Sequence, residues 1–520
     1  VSLVKAMSEP SFYDHPVDEV QFLQTHISSV FLTGTRVYKL KKPVNFGFLD
    51  YSTVELRDRN CRAEVVLSWR LAPSVYLDAL PITVDGDRVA MDGAGEVVDW
   101  VVVMRELDGE LLGTEVLERG ELSKEHMDAL VDVLVPFYRS AATGEGVDSY
   151  GTVAAVKFNT DENFSQTEAS VGKLISRDRF EHIRAWTDAF YDERADLFER
   201  RIADGRIRES HGDLHLRNIF FEDPPMIFDC IEFNERLRCG DVAVDIAFLA
   251  MDLDFNGRQD LSGHFIDRYV EASGDTGLPD VLDFYKCYRA YVRGKIASFT
   301  STDPALGDTE KRAQRNLARR YFGLAYDYAG GSERPSLVVL YGLMGTGKTS
   351  VARYLREKFG WHVLSTDAVR KQISGVGEHT RVYVPYNEGL YSPEMNARTY
   401  EEVCERAENL LRGGFPVVVD GAFKRRSERE PVIEAARRTG ARLVFLRTTC
   451  DADEQRERLE GRQQHDTRSD GRVELMEHQR ADFEPANAGA ECYFHEIDTS
   501  GPKSETQENV EAMLKSAKVL

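Results

Sequence analysis

The chain reads as two folded segments of different class: an α+β segment, then an α/β segment built on a parallel sheet. Three observations lead there. Its 520 residues are about three times the size of an ordinary domain, so at least two cores are expected. Up to about residue 107 the text carries short apolar-alternating runs around one helical pattern, whereas from Ser336 onward apolar runs alternate with amphipathic patterns, the layout of parallel strands joined by helices. Between the two, YAGGSERP at 328–335 has the glycines, charges and proline of a linker. The expected bounds are 1–327 for the first segment, with lobes of about 1–107 and 108–327, then 328–335, then 336–520.

Composition narrows the function classes. A hydrophobic content of 42% with 10% aromatics is that of a folded globular protein. The formal net charge of -22 argues against a nucleic-acid partner or an anionic membrane surface, because a field of that sign repels polyanions. Seven cysteines, odd in number and without a C-x-x-C pair, point to neither a disulfide framework nor a zinc site. No charged-then-apolar leader pattern and no run of about eighteen apolar residues is present, so a cytoplasmic protein without a membrane partner is expected.

In the first segment, SSVFLTG and RVYKLKK alternate apolar and polar residues around Gly34 and Thr35, which predicts a hairpin. LRDRNCRAEVVLSWRLA predicts a helix stopped by Pro73, and YLDALPITVDG, DRVAMDG and EVVDWVVVMREL predict further strands of a small antiparallel sheet. A turn at Asp108 and Gly109 leads into a helical pattern from Glu121 to Tyr138. Residues 140–160 read as loop, Thr152 to Ser170 shows no regular pattern, and a helical pattern runs from about Ser165 to Ile207.

Then comes HGDLHLRN. His211, Asp213 and Asn218 have the spacing of a kinase catalytic loop, and eleven residues past Asn218 the apolar run MIF leads into Asp229. Phosphoryl transfer needs a carboxylate to orient the acceptor hydroxyl, for which Asp213 is the candidate. It also needs oxygen ligands for Mg²⁺, for which Asn218 and Asp229 are the candidates. Lys39, near the end of the second hairpin strand, is the candidate phosphate lysine. Lys41 has the same strand parity and stays an alternative.

From about residue 15 to 327 the chain resembles the aminoglycoside phosphotransferase family, in which HGDLHLRN, IFDCIEF and the following Asp241 and Asp245 match in order. The resemblance implies a bilobal protein-kinase-like fold and an ATP-dependent kinase of a small-molecule hydroxyl. It makes Asp213 the base, Asn218 and Asp229 the metal ligands, and Glu64 the helix partner of Lys39. It departs from the kinase pattern in one respect: the hairpin turn TGTR carries one glycine where a glycine-rich nucleotide loop would stand. Asp241 and Asp245 read as scaffold carboxylates that cap a helix.

The second segment opens on SLVVLYGLMGTGKTSVARYLREKF. A buried strand, a glycine loop and a helix follow one another, and Gly342, Gly347, Lys348 and Thr349 fit G-x-x-x-x-G-K-[ST], a P-loop. Glycines let backbone N–H groups wrap a polyphosphate; Gly345, Thr346 and Ser350 complete the candidate ATP cradle, Lys348 reaches the outer phosphates, and Thr349 offers a hydroxyl to Mg²⁺. WHVLSTD, VVVDG, ARLVFLRTTC and CYFHEIDTSG predict the remaining strands of a P-loop NTPase fold.

This segment resembles the small P-loop kinases that include polynucleotide kinase, gluconate-type kinases and zeta toxins. The resemblance makes Asp367 the group facing the acceptor hydroxyl, Arg370 its orienting partner and Asp420 the carboxylate of the Mg²⁺ shell. Arg456, Arg462, Arg468 and Arg472 are candidates for a lid over the phosphates, Arg462 foremost, since arginine neutralises charge spread over transferring oxygens. The expectation for the whole chain is a bifunctional ATP-dependent phosphotransferase acting on small polar metabolites. Its rivals are an antibiotic-modifying kinase and a P-loop kinase regulated by a non-catalytic first half.

Overall fold

The computed structural model describes residues 2–47, 49–331, 334–377, 380, 382, 385, 387–465, 472–484 and 493–519, the side chains of 462–465 and 493 excepted. By their packing the residues fall into two compact units, Val1–Ser165 with Ala185–Val292, and Gln166–Arg184 with Arg293–Leu520.

In the first unit, β1 (Gln21–Gln24), β2 (Ser28–Leu32), β3 (Arg36–Lys41), β4 (Tyr76–Asp85), β5 (Arg88–Met91) and β6 (Glu96–Arg105) form an antiparallel sheet in the order β1-β2-β3-β6-β4-β5. The β2–β3 hairpin turns through Gly34 at φ +85°, a left-handed conformation that only glycine adopts cheaply. β3 is an interior strand, with Val30 opposite Lys39 on one side and Val102 on the other. Because side chains alternate along a strand, Lys39 and Lys41 share one face. The helix Val54–Trp69 lies against the sheet, N-capped by Thr53 and pinned by Arg57 to Asp99 at 2.6 Å.

The rest of this unit is mainly helical, around a core that includes Leu130, Leu134, Phe198, Leu249, Phe265 and Tyr285. Two short antiparallel ladders are set into it: β7 (Ile207–Glu209) with β10 (Cys239–Asp241), and β8 (Ile219–Phe220) with β9 (Met226–Ile227). They hold the loop 210–218 between β7 and β8 and start Asp229 two residues beyond β9. The stretch expected as loop is in part a helix, Val153–Thr167. Thr152 Oγ1 accepts from the Ala155 N–H at 3.3 Å, Val156 joins the core, and Phe164 is buried. The polar run NTDENFSQT hides this helix in the sequence; tertiary burial of Val156 and Phe164 supports it instead of local propensity.

In the second unit, β11 (Ser336–Tyr341), β12 (His362–Ser365), β13 (Val417–Asp420), β14 (Arg442–Thr449) and β15 (Tyr493–Asp498) make a parallel sheet in the order β12-β13-β11-β14-β15. β11 is buried on both faces, Leu337 and Val339 toward one core and Val338 and Leu340 toward the other, which is why its text is apolar without alternation. The strand order reverses beside β11, so a crevice opens at its carboxyl end, where the P-loop begins.

The helix Asp308–Tyr328 also belongs to this unit. It buries Ala318, Tyr321, Phe322 and Ala325, pairs Arg312 with Glu402, and brings Gly323 so close to the helix Pro393–Arg412 that a Cβ there would stand 2.5 Å from the Arg412 carbonyl. The division between compact units therefore falls inside the helix Leu278–Thr300, upstream of the 328–335 linker read from the sequence. Among the described residues no helix is long and apolar enough to cross a membrane.

Candidate active sites

In the first unit the loop HGDLHLRN is built from buried polar contacts. Gly212 sits at φ +86°, where a Cβ would meet the Leu237 carbonyl at 2.8 Å, so the turn demands glycine. The Asp245 carboxylate accepts from the His211 and Gly212 N–H groups, each at 2.9 Å, and from the Tyr138 hydroxyl at 3.1 Å. Asp241 accepts from the Ala243 N–H at 2.9 Å and pairs with buried Arg201. Asp241 thus takes the first N–H of the following helix, whose N-cap position is Val242. Asp245 does not: it lies on the helix Ala243–Phe255, yet its oxygens are spent on the loop across from it.

His211 is fully buried, with Nε2 3.0 Å from the Phe228 carbonyl and Nδ1 accepting from the Asp213 N–H at 3.3 Å. Burial lowers its pKa, and this bonding suits the neutral ring carrying its proton on Nε2. The Asn218 amide donates to the Asp213 carbonyl and to Oδ2, both at 3.0 Å, and His215 Nε2 stands 3.3 Å from the same Oδ2. The loop therefore brings the predicted Asp213 and Asn218 together.

On the sheet side, Lys39 Nζ donates to Glu64 Oε1 at 2.9 Å and also pairs with Asp229. Asp229 is a non-glycine residue at φ +63°, a strained conformation of the kind that gathers at functional sites. Burial by itself would lower the Lys39 pKa, but the Asp229 and Glu64 carboxylates outweigh it and hold the ammonium charged. Lys41, the alternative, is enclosed, its side chain 1% exposed, and pairs with Glu64 Oε2 and with Glu232. The structure thus joins Lys39, Glu64 and Asp229. Glu232 and Tyr51, which donates to Glu232, had no signal in the sequence beyond Glu232 standing three residues after Asp229.

In the second unit, Gly342, Gly345 and Gly347 all have positive φ. A Cβ on Gly342 would lie 2.6 Å from the Thr448 carbonyl, and one on Gly347 would lie 3.0 Å from Thr499 Oγ1. Thr346 bonds the Thr448 hydroxyl at 2.7 Å, and Thr499 donates to the Thr346 carbonyl at 3.0 Å, so β14 and the residue just after β15 brace the loop. Lys348 Nζ donates to the Gly342 and Leu343 carbonyls at 2.9 and 2.7 Å. Thr349 Oγ1 donates to Asp420 Oδ2 at 2.8 Å.

The loop forms one wall of a cavity of about 570 Å³ that also takes in Ser350, Asp367, Arg370, Asn396, Lys424 and Arg472. Arg370 Nη1 donates to Asp367 Oδ1 at 2.7 Å, and Nη2 to Asn396 Oδ1 at 3.1 Å, with the guanidinium 4.7 Å from the Tyr391 ring centre. Asn396 and Gln479, whose Oε1 accepts from the Met344 N–H at 2.7 Å, lie far along the chain from the groups they hold and left no sequence signal. Of the four lid candidates, Arg472 lines the cavity and Arg456 is exposed, while the side chains of Arg462 and Arg468 lie outside the described residues. The basic run after β13 is largely balanced: Arg425 pairs with Asp482, Arg426 with Glu430, and buried Arg429 donates to the Phe423 carbonyl.

Comparison with known proteins divides the chain in the same two parts. The family described as "Phosphotransferase enzyme family" matches residues 89–285, and that described as "AAA domain" matches 337–486. Uncharacterized proteins of Mycobacterium tuberculosis and Mycobacterium bovis are each 32% identical over 496 residues, covering 94% of this chain and 95% of their own. The chain belongs to their family. This chain carries a kinase-like domain of the aminoglycoside phosphotransferase fold followed by a P-loop kinase-like domain, and it is a phosphotransferase enzyme.

Solved structures similar to parts of it include a gluconokinase from Sinorhizobium meliloti, 24% identical, over 35% of this chain and 94% of that one, with a TM-score of 0.25. An APS kinase from Mycobacterium tuberculosis is 17% identical over 35% of this chain and 99% of its own, with a TM-score of 0.26. Aminoglycoside 2'-phosphotransferase-IIIa is 14% identical over 61% of this chain and 97% of its own, with a TM-score of 0.36.

Proposed function

We propose that the chain is a bifunctional ATP-dependent phosphotransferase, each half moving the γ-phosphate of ATP to a hydroxyl of a small polar metabolite. The observation that carries this reading is that each half gathers its own complete set of groups. In the first unit Lys39 is linked to Glu64 and Asp229, Asp213 is linked to Asn218, and the Phe228 N–H beside Asp229 donates to the Asn218 carbonyl at 3.0 Å. Lys348, Thr349, Asp367, Arg370 and Asp420 surround one cavity in the second.

Both sets suit Mg²⁺ and a polyphosphate. Hydroxyl, amide and carboxylate oxygens are the ligands a hard cation takes, and the P-loop glycines keep Cβ atoms out of the cradle. In the first half Asn218 and Asp229 would hold Mg²⁺, Lys39 would neutralise phosphate charge, and Asp213 would take the proton of the acceptor hydroxyl. In the second, Thr349 and Asp420 would serve Mg²⁺, Lys348, Ser350 and the loop amides the phosphates, and Asp367, steered by Arg370, the acceptor hydroxyl. Bound MgATP supplies an electrophilic phosphorus with a shielded leaving group. The chain's own part is to orient, to screen charge and to accept one proton in each site.

The test is transfer of γ-labelled phosphate from ATP into a desalted small-molecule cell extract, with Asp213→Ala and Lys348→Ala compared against the parent. Loss of a different labelled product in each variant is expected. If Asp213→Ala leaves every product in place while Lys348→Ala removes them all, the first half is not a kinase in this protein.

A further inference from the structure

Lys39 and Lys41 are next to one another on one face of β3, and Asp229 and Glu232 lie three residues apart on the segment after β9. The fold joins them pairwise, Lys39 to Asp229 and Lys41 to Glu232, with the Glu64 carboxylate between, one oxygen on each lysine. The Tyr51 hydroxyl also donates to Glu232. The proposed chemistry uses Lys39, Glu64 and Asp229 and leaves Lys41 and Glu232 idle, although their side chains are 1% and 5% exposed.

Desolvating such a pair costs several kcal/mol per ion, and apolar residues of the same volume are often as stabilising or more so, so stability alone is a poor account of it. Geometry gives a better one. With Oε2 engaged by Lys41, Glu64 cannot close on Lys39 with both oxygens and draw its ammonium back from the cleft. With Glu232 held by Lys41, the segment that carries Asp229 is tied to β3. We propose that Lys41 and Glu232 form a strut, a pair of positioning residues that sets where the Lys39 ammonium and the Asp229 carboxylate stand toward Mg²⁺ and nucleotide. This rests on the nucleotide role proposed above for Lys39 and Asp229.

Charge bookkeeping shows how to separate position from charge. The cluster holds two ammonium groups and three carboxylates. Removing Lys41 alone would leave an extra buried negative charge, whereas Lys41→Met with Glu232→Gln removes one of each sign and keeps the balance. The experiment uses the full chain carrying Lys348→Ala, so that the P-loop is silenced, and follows binding of the slowly hydrolysed analogue AMPPNP as a function of Mg²⁺ by calorimetry, together with the melting temperature. The double variant is expected to bind about tenfold more weakly and to need more Mg²⁺, with a melting temperature within about 2 °C of its parent. Lys41→Arg, which keeps the charge but moves it, is expected to fall between the two.

Binding by the double variant within about twofold of the parent, at whatever melting temperature, overturns the strut. If the double variant does not fold, Glu232→Gln alone decides by the same criterion. Lys39→Ala separates the two layers of argument. If it leaves AMPPNP binding unchanged, the nucleotide role of Lys39 itself is wrong; if it weakens binding and the strut variants do not, only the strut is wrong.

Discussion

Replacing Asp245 with alanine should loosen the loop 210–218 that carries Asp213 and Asn218. The carboxylate is buried and takes the His211 and Gly212 N–H groups, each at 2.9 Å. A hydrogen bond to a charged group is worth about 1.5–3 kcal/mol, and a donor left unpaired in the interior costs a similar amount, so losing both should cost about 3–6 kcal/mol in local stability. That is a factor of about 10² to 10⁴ in the opening equilibrium. Asp245→Asn keeps one carbonyl acceptor and should cost about half as much. The assay is amide hydrogen exchange of a peptide covering residues 207–220 in the full chain, which reads local opening without assuming two-state unfolding. Asp241→Ala serves as control, because it should expose the Arg201 and Asp275 contacts instead. Exchange in 207–220 within about threefold of the parent for Asp245→Ala would refute the idea that this carboxylate holds the loop.

Three further outcomes follow from the geometry. Gly342→Ala should abolish nucleotide binding at the P-loop, since it adds a contact of 2.6 Å to a carbonyl at φ +138°, whereas Gly360→Ala, at φ +70° with open space around it, should cost only about 1–2 kcal/mol and leave affinity alone; titration of AMPPNP into both tells them apart. Burial lowers the His211 pKa below its ordinary 6.5, so between those values the unfolded chain binds the extra proton and the folded one does not; the stability is complete above pH 6.5 and falls as the pH drops, and His211→Gln should flatten that part of a melting-temperature profile. Arg201→Leu leaves the buried Asp241 carboxylate without its counter-charge and Asp275 with Arg206 alone, 3.7 Å away, and should destabilise the first unit by about 3–5 kcal/mol, measured by urea unfolding; a loss under about 1 kcal/mol would show that the cluster relaxes or takes up protons.

Much of the architecture was legible in advance. The β2–β3 hairpin announced itself by alternation around Gly34, and the parallel sheet by apolar runs spaced by amphipathic helices, because these periods are the periods of the elements themselves. The helix Val153–Thr167 was not legible, since its polar text matches no period and polar residues, Thr160, Asn163 and Thr167, are buried on it beside Val156 and Phe164. Nor was the packing of the helix Asp308–Tyr328 with the P-loop unit, which depends on a close approach at Gly323 that any small residue pattern could have hidden.

What the sequence by itself determined is the chemistry available. A glycine loop followed by Lys348 and Thr349, and an aspartate five residues before an asparagine, act through backbone geometry confined to one turn, so their spacing alone carries the meaning. What only the tertiary structure decided is which groups meet. Lys39 and Lys41 have equal parity and equal chemistry, and only the fold pairs Lys39 with Asp229, 190 residues away, and Lys41 with Glu232. Asp245 likewise changed from helix cap to loop anchor because of where two N–H groups arrived in space. Contacts across such separations leave no period and no fixed spacing in the chain. They are set by how the strands and helices close around a common core.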